Sequence, residues 1–270
     1  MATVQTLTLQ TERMQASVED GIGWMLFNNP ARHNALSLEM WEGIGDILEH
    51  FADNEDVRVV IMRGAGGKAF VSGADISEFD KERANAEQRE SYGITAGRAT
   101  QWLAKIEKPL IGLIEGYCIG GGLATALSAD VRFATPDSRF GIPAAKLGLG
   151  YEYEGLAKLA RLVGPSRARD IMFSARFMPA RDALDMGLIN FIEERDDIEG
   201  ACVSYAKTIA ENAPLTVKAA KAAINAWERG SRTEEVNAVR AMVDACFDSE
   251  DYREGRKAFA AKRKPEFKNR

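Results

Sequence analysis

Residues 108–122, with the sequence KPLIGLIEGYCIGGG, contain the clearest structural signal in the chain. Residues 110–115 are almost wholly apolar, which is typical of a short strand buried on both faces of a sheet. Three glycines follow at 120–122, and residues 120–128 have the pattern of a short helix. The stretch therefore predicts a buried strand followed by a tight turn into a helix.

Similar units occur before and after this stretch, and together they favour an α/β core with a helical C-terminal part. An Asp-Gly turn signal between the first two strands predicts a hairpin, and Ser37 is the predicted N-cap of the first helix. Predicted strands lie at residues 14–20, 21–27, 57–63, 110–115 and 131–134. Predicted helices lie at residues 37–54, 95–106, 120–128, 201–211, 214–229 and 233–247. Residues 80–92 are highly charged, and we expect them to be mobile.

The composition argues against several classes of protein. With 270 residues and 46% hydrophobic content, the chain can bury a substantial core. Its net charge of −5 gives no electrostatic reason to expect nucleic acid as a partner. We see no signal-peptide pattern and no apolar run near the ~20 residues of a membrane span. Because Cys118, Cys202 and Cys246 form no CxxC pair, we expect buried thiols and neither a zinc site nor a disulfide framework. These features together favour a cytoplasmic location, or an organelle matrix if the source has one.

Two segments of small residues could bind a ligand. The glycines at 120–122 precede a predicted helix, whose exposed N–H groups would attract negative charge. Their missing Cβ atoms would let a ligand approach the backbone closely. Residues 70–76, FVSGADI, form the second segment, and it also follows a buried strand. A tight strand-to-helix turn without a ligand remains the alternative, because neither segment is a dinucleotide fingerprint or a P-loop.

These segments and several others resemble the crotonase (enoyl-CoA hydratase/isomerase) superfamily. The matching stretches are NNPARHNALS (28–37), AFVSGADI (69–76), KPLIGLIEGYCIGGG (108–122), ADVRFA (129–134), FGIPAAKLGLG (140–150) and FAAKRKPEF (259–267). The resemblance implies a spiral core of ββα units and a C-terminal helical region that packs in trimers, often paired into hexamers. It places the acyl-CoA-binding core at residues 1–200 and the helical trimerisation region at residues 201–270.

The resemblance also implies a binding site for a coenzyme A thioester. The backbone N–H groups of Ala74 and Gly121 would form an oxyanion hole for the enolate oxygen. A thioester carbonyl that gains enolate character needs donors at fixed positions, and losing one can cost ~100- to 1,000-fold in rate. Coenzyme A would be part of the substrate, so no separate cofactor is expected.

Other residues match the positions that hold coenzyme A in the family. Ala31, Arg32 and the backbone near Asp75 and Ile76 would bind its nucleotide end. Lys262 matches a C-terminal lysine that reaches a phosphate of coenzyme A, often from a neighbouring subunit. The alternative for Lys262 is an exposed lysine in a basic tail.

The sequence departs from the hydratases of the family at two positions. Where those enzymes carry two catalytic glutamates, this chain has Ala124 and Ala144. Alanine cannot transfer a proton, so the resemblance does not extend to two-carboxylate hydration. Glu152 falls where dienoyl-CoA isomerases carry a catalytic aspartate, and Tyr151 falls where methylmalonyl-CoA decarboxylase has a tyrosine.

Several functions stay open at this point. The leading hypothesis is an acyl-CoA enzyme in which Glu152, in a partly apolar pocket with a raised pKa, moves a proton during double-bond isomerisation or a related lyase reaction. Decarboxylation of a malonyl-type thioester is an alternative, because loss of CO₂ needs enolate stabilisation but no strong base. A non-catalytic acyl-CoA-binding protein is an alternative of another class. Residues 151–154 could also be a polar helix start, and Asp130 fits a structural role.

Overall fold

The computed structural model describes residues 4–75 and 86–270. Ile76, one of the predicted coenzyme A contacts, lies outside these residues, as does part of the charged segment 80–92. Within the described ranges the chain forms two sheets and ten α-helices. The predicted α/β class is therefore confirmed.

The larger sheet has seven strands in the order β1-β2-β3-β4-β6-β8-β11. Its strands are β1 (Gln5–Leu7), β2 (Met14–Glu19), β3 (Ile22–Phe27), β4 (Val59–Gly64), β6 (Leu110–Ile114), β8 (Val131–Ala134) and β11 (Phe191–Ile192). The predicted hairpin is the antiparallel pair β2–β3, and every pairing from β3 to β11 is parallel. All five residues of β6 are buried, as the apolar run predicted.

A second sheet of four short strands lies beside the first, in the order β10-β9-β7-β5. Its strands are β5 (Ala69–Val71), β7 (Tyr117–Ile119), β9 (Arg139–Gly141) and β10 (Met178–Pro179). From β4 to β9 the chain alternates between the sheets, and each new strand pairs in parallel with the previous one of its own sheet. This alternation is the spiral of repeated units that the family resemblance implied.

The helices surround the sheets. They are α1 (Leu38–Asp53), α2 (Ala86–Lys105), α3 (Gly121–Ala126), α4 (Tyr153–Val163), α5 (Pro165–Ser174), α6 (Ala180–Asp185), α7 (Ile198–Ala210), α8 (Pro214–Glu228), α9 (Thr233–Asp248) and α10 (Glu250–Ala260). Helix α2 differs from the sequence prediction, because it begins at Ala86 and not near residue 95. Ser37 is the N-cap of α1, as predicted, although its buried hydroxyl makes no capping bond.

The core has two parts, one on each face of the seven-stranded sheet. Alternate strand residues point to opposite sides, so Val60 and Met62 join the main core with the side chains of α1, while Val59 and Ile61 face α7. Helix α7 spans the predicted division at residue 200, and its buried side chains pack on the sheet.

The three cysteines carry no disulfide. Cys118 and Cys202 are buried, as expected, and burial raises the pKa of the Cys202 thiol to about 12. Cys246 is only partly buried. Among the described helices, none combines the length and apolar character needed to span a bilayer.

Candidate functional site

One wall of the candidate site is the loop between β3 and α1. Asn34 holds this loop in place, since its side chain accepts a hydrogen bond from the Asn29 N–H (2.9 Å) and donates to the carbonyls of Ala65 (3.0 Å) and Ala69 (2.7 Å). Asn34 is fully buried, and its φ of 56° lies in the left-handed region that asparagine tolerates. The loop is therefore fixed to the start of β5.

The second wall is the segment that follows β5. The Ser72 N–H donates to the His33 carbonyl at 3.1 Å, and the Asp75 N–H donates to the Leu36 carbonyl at 2.9 Å. Ala74 lies between these two anchors. Among the described residues, the Ala74 N–H has no hydrogen-bond acceptor. The backbone thus holds Ala74 in place while leaving its donor unused.

Gly121 approaches Ala74 from the other side. It is the first residue of α3, so its own N–H has no acceptor within the helix. A Cβ atom built on Gly121 would lie 3.7 Å from the Ala74 amide nitrogen. Because a Cβ lies about 2.5 Å from the nitrogen of its own residue, the two amide nitrogens are at most about 6 Å apart. One oxygen atom about 3 Å from each nitrogen fits between them.

Gly122, the third glycine of the motif, has a packing role. A Cβ on Gly122 would lie 2.0 Å from the Val71 carbonyl oxygen, which is closer than any side chain allows. Only glycine lets α3 pack this tightly on β5. Gly122 therefore sets the spacing that brings Gly121 to Ala74.

The two alanines that the resemblance places at the glutamate positions of the hydratases lie on neighbouring elements. Ala124 is on α3, three residues after Gly121, and is partly exposed. Ala144 is buried in a short 3₁₀ helix, Pro143–Leu147. Neither side chain can exchange a proton, so this part of the site contains no acid or base at these positions.

Tyr151 and Glu152 precede α4 and differ in their surroundings. Tyr151 is half-buried against the main core, and burial raises the pKa of its phenol to about 12. Glu152 is exposed at the N-cap of α4 and makes no capping bond. The apolar pocket expected around Glu152 is therefore not formed by the described residues. Within those residues, no hydrogen bond links either side chain to the 72–75 loop or to Gly121.

The predicted coenzyme A contacts fall into two groups. Ala31 and Arg32 are exposed in a 3₁₀ turn, and the Arg32 carbonyl accepts a hydrogen bond from the Ser72 hydroxyl at 3.3 Å. This turn and the segment containing the buried Asp75 thus form one surface beside the amide groups of Ala74 and Gly121. The structure does not bring Lys262 there by any described contact: it is exposed after α10, with φ 51°.

Asp130 has the structural role that was expected for it. Its carboxylate accepts hydrogen bonds from the Leu110 N–H (2.7 Å) and from Lys221 (2.8 Å). It therefore ties the start of β6 to helix α8. Asn34 was missed as an anchor of the site, although it stands within the motif at 28–37. An asparagine after an exposed proline turn was the available signal, because asparagine adopts left-handed φ more readily than most residues.

The fold and this site define a protein of the enoyl-CoA hydratase/isomerase class, and comparisons with known proteins agree. The family model described as enoyl-CoA hydratase/isomerase matches residues 17–270. The short-chain-enoyl-CoA hydratase of Clostridium acetobutylicum is 36% identical over 93% of this chain and 96% of its own length. The crotonyl-CoA hydratase of Syntrophomonas wolfei is 32% identical over 92% of this chain and 95% of its own.

Solved structures show the same likeness. An enoyl-CoA hydratase/carnithine racemase from Magnetospirillum magneticum has a TM-score of 0.89 and 37% identity, covering 97% of both chains. An enoyl-CoA hydratase/isomerase family protein from Hyphomonas neptunium has a TM-score of 0.91 and 32% identity, covering 97% of this chain and 100% of its own. The chain belongs to the enoyl-CoA hydratase/isomerase family.

Proposed function

We propose that this protein binds an acyl-CoA thioester and stabilises its enolate with the N–H groups of Ala74 and Gly121. The observation that carries the proposal is the close approach of two amide groups that no described residue accepts from. Fixed donors of this kind act where negative charge develops on the thioester oxygen. Ala31, Arg32 and Asp75 would bind the nucleotide end of coenzyme A, and Lys262 would reach its phosphate from a neighbouring subunit.

We further propose that the reaction is double-bond isomerisation or a related lyase reaction and not two-glutamate hydration. Curated relatives are named as hydratases, but alanine stands at both positions where the family's hydratases carry their glutamates. The carboxylate that we assign to proton transfer is Glu152, which is exposed at the N-cap of α4 and would turn toward a bound substrate. It would then carry the proton between two carbons of the acyl chain.

A malonyl-type decarboxylation is the second candidate, and the half-buried position of Tyr151 favours it. A tyrosine phenol is protonated at neutral pH, and burial raises the pKa of Tyr151 further, to about 12, so the phenol would donate a hydrogen bond to the reacting carboxylate. Loss of CO₂ then leaves the enolate that the two amide groups hold. This route needs no carboxylate base.

A substrate screen separates these reactions. Crotonyl-, 3-enoyl-, dienoyl- and malonyl-type CoA thioesters are incubated with the protein, and products are followed by mass spectrometry. We expect crotonyl-CoA hydration to be slower than in an ordinary hydratase by about 10²- to 10⁴-fold, the usual contribution of general acid–base catalysis. Rapid hydration of crotonyl-CoA would contradict the proposal that the protein is not a hydratase. Turnover of none of the thioesters would favour a non-catalytic acyl-CoA-binding protein.

Two variants then assign the proton transfer. For isomerisation, Glu152→Gln should abolish turnover and leave coenzyme A affinity nearly unchanged. Glu154→Gln is the matched control, since Glu154 is also exposed at the start of α4. For decarboxylation, Tyr151→Phe should cause the larger loss and Glu152→Gln little.

The oxyanion hole has its own test. Proline is tolerated at the first position of a helix, so Gly121→Pro removes the N–H while keeping α3. Gly121→Ala is the control, because it adds a methyl group at ordinary contact distance and retains the N–H. We expect kcat/KM of Gly121→Pro to fall a further ~100-fold or more below that of Gly121→Ala. Equal activity of the two variants would contradict the role of this amide.

A further inference from the structure

A cavity of about 300 Å³ lies at the opposite end of α3 from Gly121. It opens to solvent and is lined by the C-terminal end of α2, the segment after α3, helix α4 and helix α8. Five charged side chains line it, namely Asp130, Arg132, Lys158, Lys221 and Glu228. Apolar side chains such as Leu127, Leu162 and Ile224 complete the walls. None of these residues takes part in the proposed acyl-CoA site.

Arg132 is the most buried of the five, with only 3% of its surface exposed. Its Nε donates to the Leu188 carbonyl at 2.7 Å, and its Nη1 donates to the Ala129 carbonyl. Among the described residues, Arg132 Nη2 has no hydrogen-bond acceptor. The atom retains some contact with solvent. A buried guanidinium therefore presents unused N–H donors to the cavity.

Lys158 reaches the same cavity from α4. Its ammonium group makes no hydrogen bond or ion pair within the described part of the chain, although Glu228, Asp130, Arg132 and Lys221 all act on it electrostatically. Burial lowers the pKa of Lys158 to about 8. A partly buried lysine without a partner is unusual, because burying a charge is costly unless it is paired.

The charges in the cavity do not balance. Arg132, Lys158 and Lys221 are cations, whereas Asp130 and Glu228 are the carboxylates. Lys221 and Asp130 already pair at 2.8 Å. Glu228 therefore acts on Arg132 and Lys158, neither of which forms an ion pair with a described residue, and one positive charge is left over. One small monovalent anion would neutralise it.

We propose that this cavity binds a short-chain carboxylate. The carboxylate oxygens would accept hydrogen bonds from Arg132 Nη2 and Lys158 Nζ, and the alkyl chain would contact the apolar walls. A single negative charge matches the excess, whereas a phosphate dianion would add a second negative charge beside Glu228. The volume is at the lower end of small-molecule sites, which suits a chain of a few carbons. This inference does not depend on the proposed acyl-CoA reaction.

The test is a thermal-shift titration of the whole protein at pH 7. Sodium butyrate is compared with sodium chloride and sodium phosphate at equal ionic strength. We expect a saturable rise in Tm with butyrate alone, since a ligand that binds only the folded state stabilises it. No saturable rise with butyrate, or a rise with phosphate instead, would overturn the proposal.

Variants of α4 locate the effect. Lys158→Gln should weaken butyrate binding about 10-fold or more, the usual loss for a charge-assisted hydrogen bond, and Lys158→Arg should retain most of it. Arg161→Gln is the matched control, because Arg161 is exposed on the same helix and does not line the cavity. Equal titration curves for Lys158→Gln and Arg161→Gln would show that butyrate binds elsewhere.

The pH dependence gives an independent readout. The excess positive charge depends on Lys158 remaining protonated among Glu228, Asp130, Arg132 and Lys221. Burial also lowers the pKa of Arg132, to about 10, so the titration is kept below that value. Butyrate binding should therefore weaken as pH rises from 7 to 9 in the wild type. Lys158→Arg should keep its binding over that range, and a parallel loss in this variant would contradict the assignment.

Discussion

The three consecutive glycines show how residues of one kind take different roles at adjacent positions. Gly121 leaves room beside the Ala74 amide, where a Cβ would make only an ordinary contact at 3.7 Å. Gly122 meets the Val71 carbonyl so closely that no side chain fits. The sequence predicted a site at these glycines, but it could not assign the roles, because the difference depends on the distance to β5.

We expect Gly122→Ala to destabilise the protein by about 2 kcal/mol or more, because α3 must move away from β5. The free energy of unfolding from urea titration is the measurement. Gly200→Ala is the control: this glycine lies in α7, and a Cβ there meets nothing within 4 Å. Alanine at that position should stabilise the helix by about 0.5–1 kcal/mol. Equal effects of the two substitutions would contradict the close packing.

Lys158 makes stability depend on pH. Its pKa is about 8 in the folded protein and ~10.4 in an unfolded chain, so the unfolded state binds more protons between these values. Stability contributed by this residue should therefore rise as pH increases from 8 to 10.4. Lys108 acts in the same direction, because burial lowers its pKa to about 8.

Lys158→Met isolates the contribution of one lysine. In a buffer free of carboxylates, we expect the variant to unfold with a free energy about 1–3 kcal/mol higher than that of the wild type at pH 7. The difference should shrink toward pH 10, because Lys158 is then neutral in the folded protein and no longer places a charge in the cavity. A variant that is less stable at pH 7, or a gap that widens with pH, would contradict the assignment. Urea unfolding at both pH values provides the measurement.

Among the secondary-structure elements, the longer ones were predicted from the sequence and the shortest strands were not. The buried strand β6 and helices α8 and α9 have clear apolar patterns, and their predicted bounds agree closely with the structure. The second sheet was not predicted, because three-residue strands such as β5 and β7 are too short to show a period. These short strands carry the two segments of the candidate site, so the site was found from motifs and not from patterning.

The loop between β3 and α1 depends on Asn34 for its attachment to β5. We expect Asn34→Ala to cost about 2–4 kcal/mol, because it leaves the Asn29 N–H and two carbonyls without their partner. It should also weaken acyl-CoA binding, since Ala31 and Arg32 lie in this loop. Asn237→Ala on the exposed face of α9 is the control and should change stability by less than about 0.5 kcal/mol. Chemical denaturation and calorimetric titration with an acyl-CoA test both effects.

At the scale of the whole molecule, the C-terminal helices leave large apolar side chains uncovered. Exposed residues in this region include Ile224, Trp227, Val243, Phe247, Tyr252 and Phe259. Trp227 is 76% exposed and Phe259 is 88% exposed. A concentration of such residues in one part of a chain is typical of a protein–protein interface.

We therefore expect the protein to be a trimer or a hexamer, as the resemblance implied. Light scattering at micromolar concentration should give three or six times the chain mass of 29.6 kDa. The double variant Trp227→Lys, Phe259→Lys should shift the mass toward the monomer, because buried unpaired charges oppose association. A monomeric wild type would refute the assembly and with it the proposed contact of Lys262 with a neighbouring site.

The alternation of the chain between two sheets has a consequence for the protein during its synthesis. When β6 and β7 leave the ribosome, β4 and β5 are already present to pair with them, and β8 and β9 then add to that growing stack. The face of the larger sheet that contains Val59 and Ile61 is not covered by these strands. Its apolar residues stay exposed until α7 is synthesised, more than 130 residues later. A nascent chain that stalls before residue 198 would therefore expose a bare apolar sheet face to chaperones or to other nascent chains.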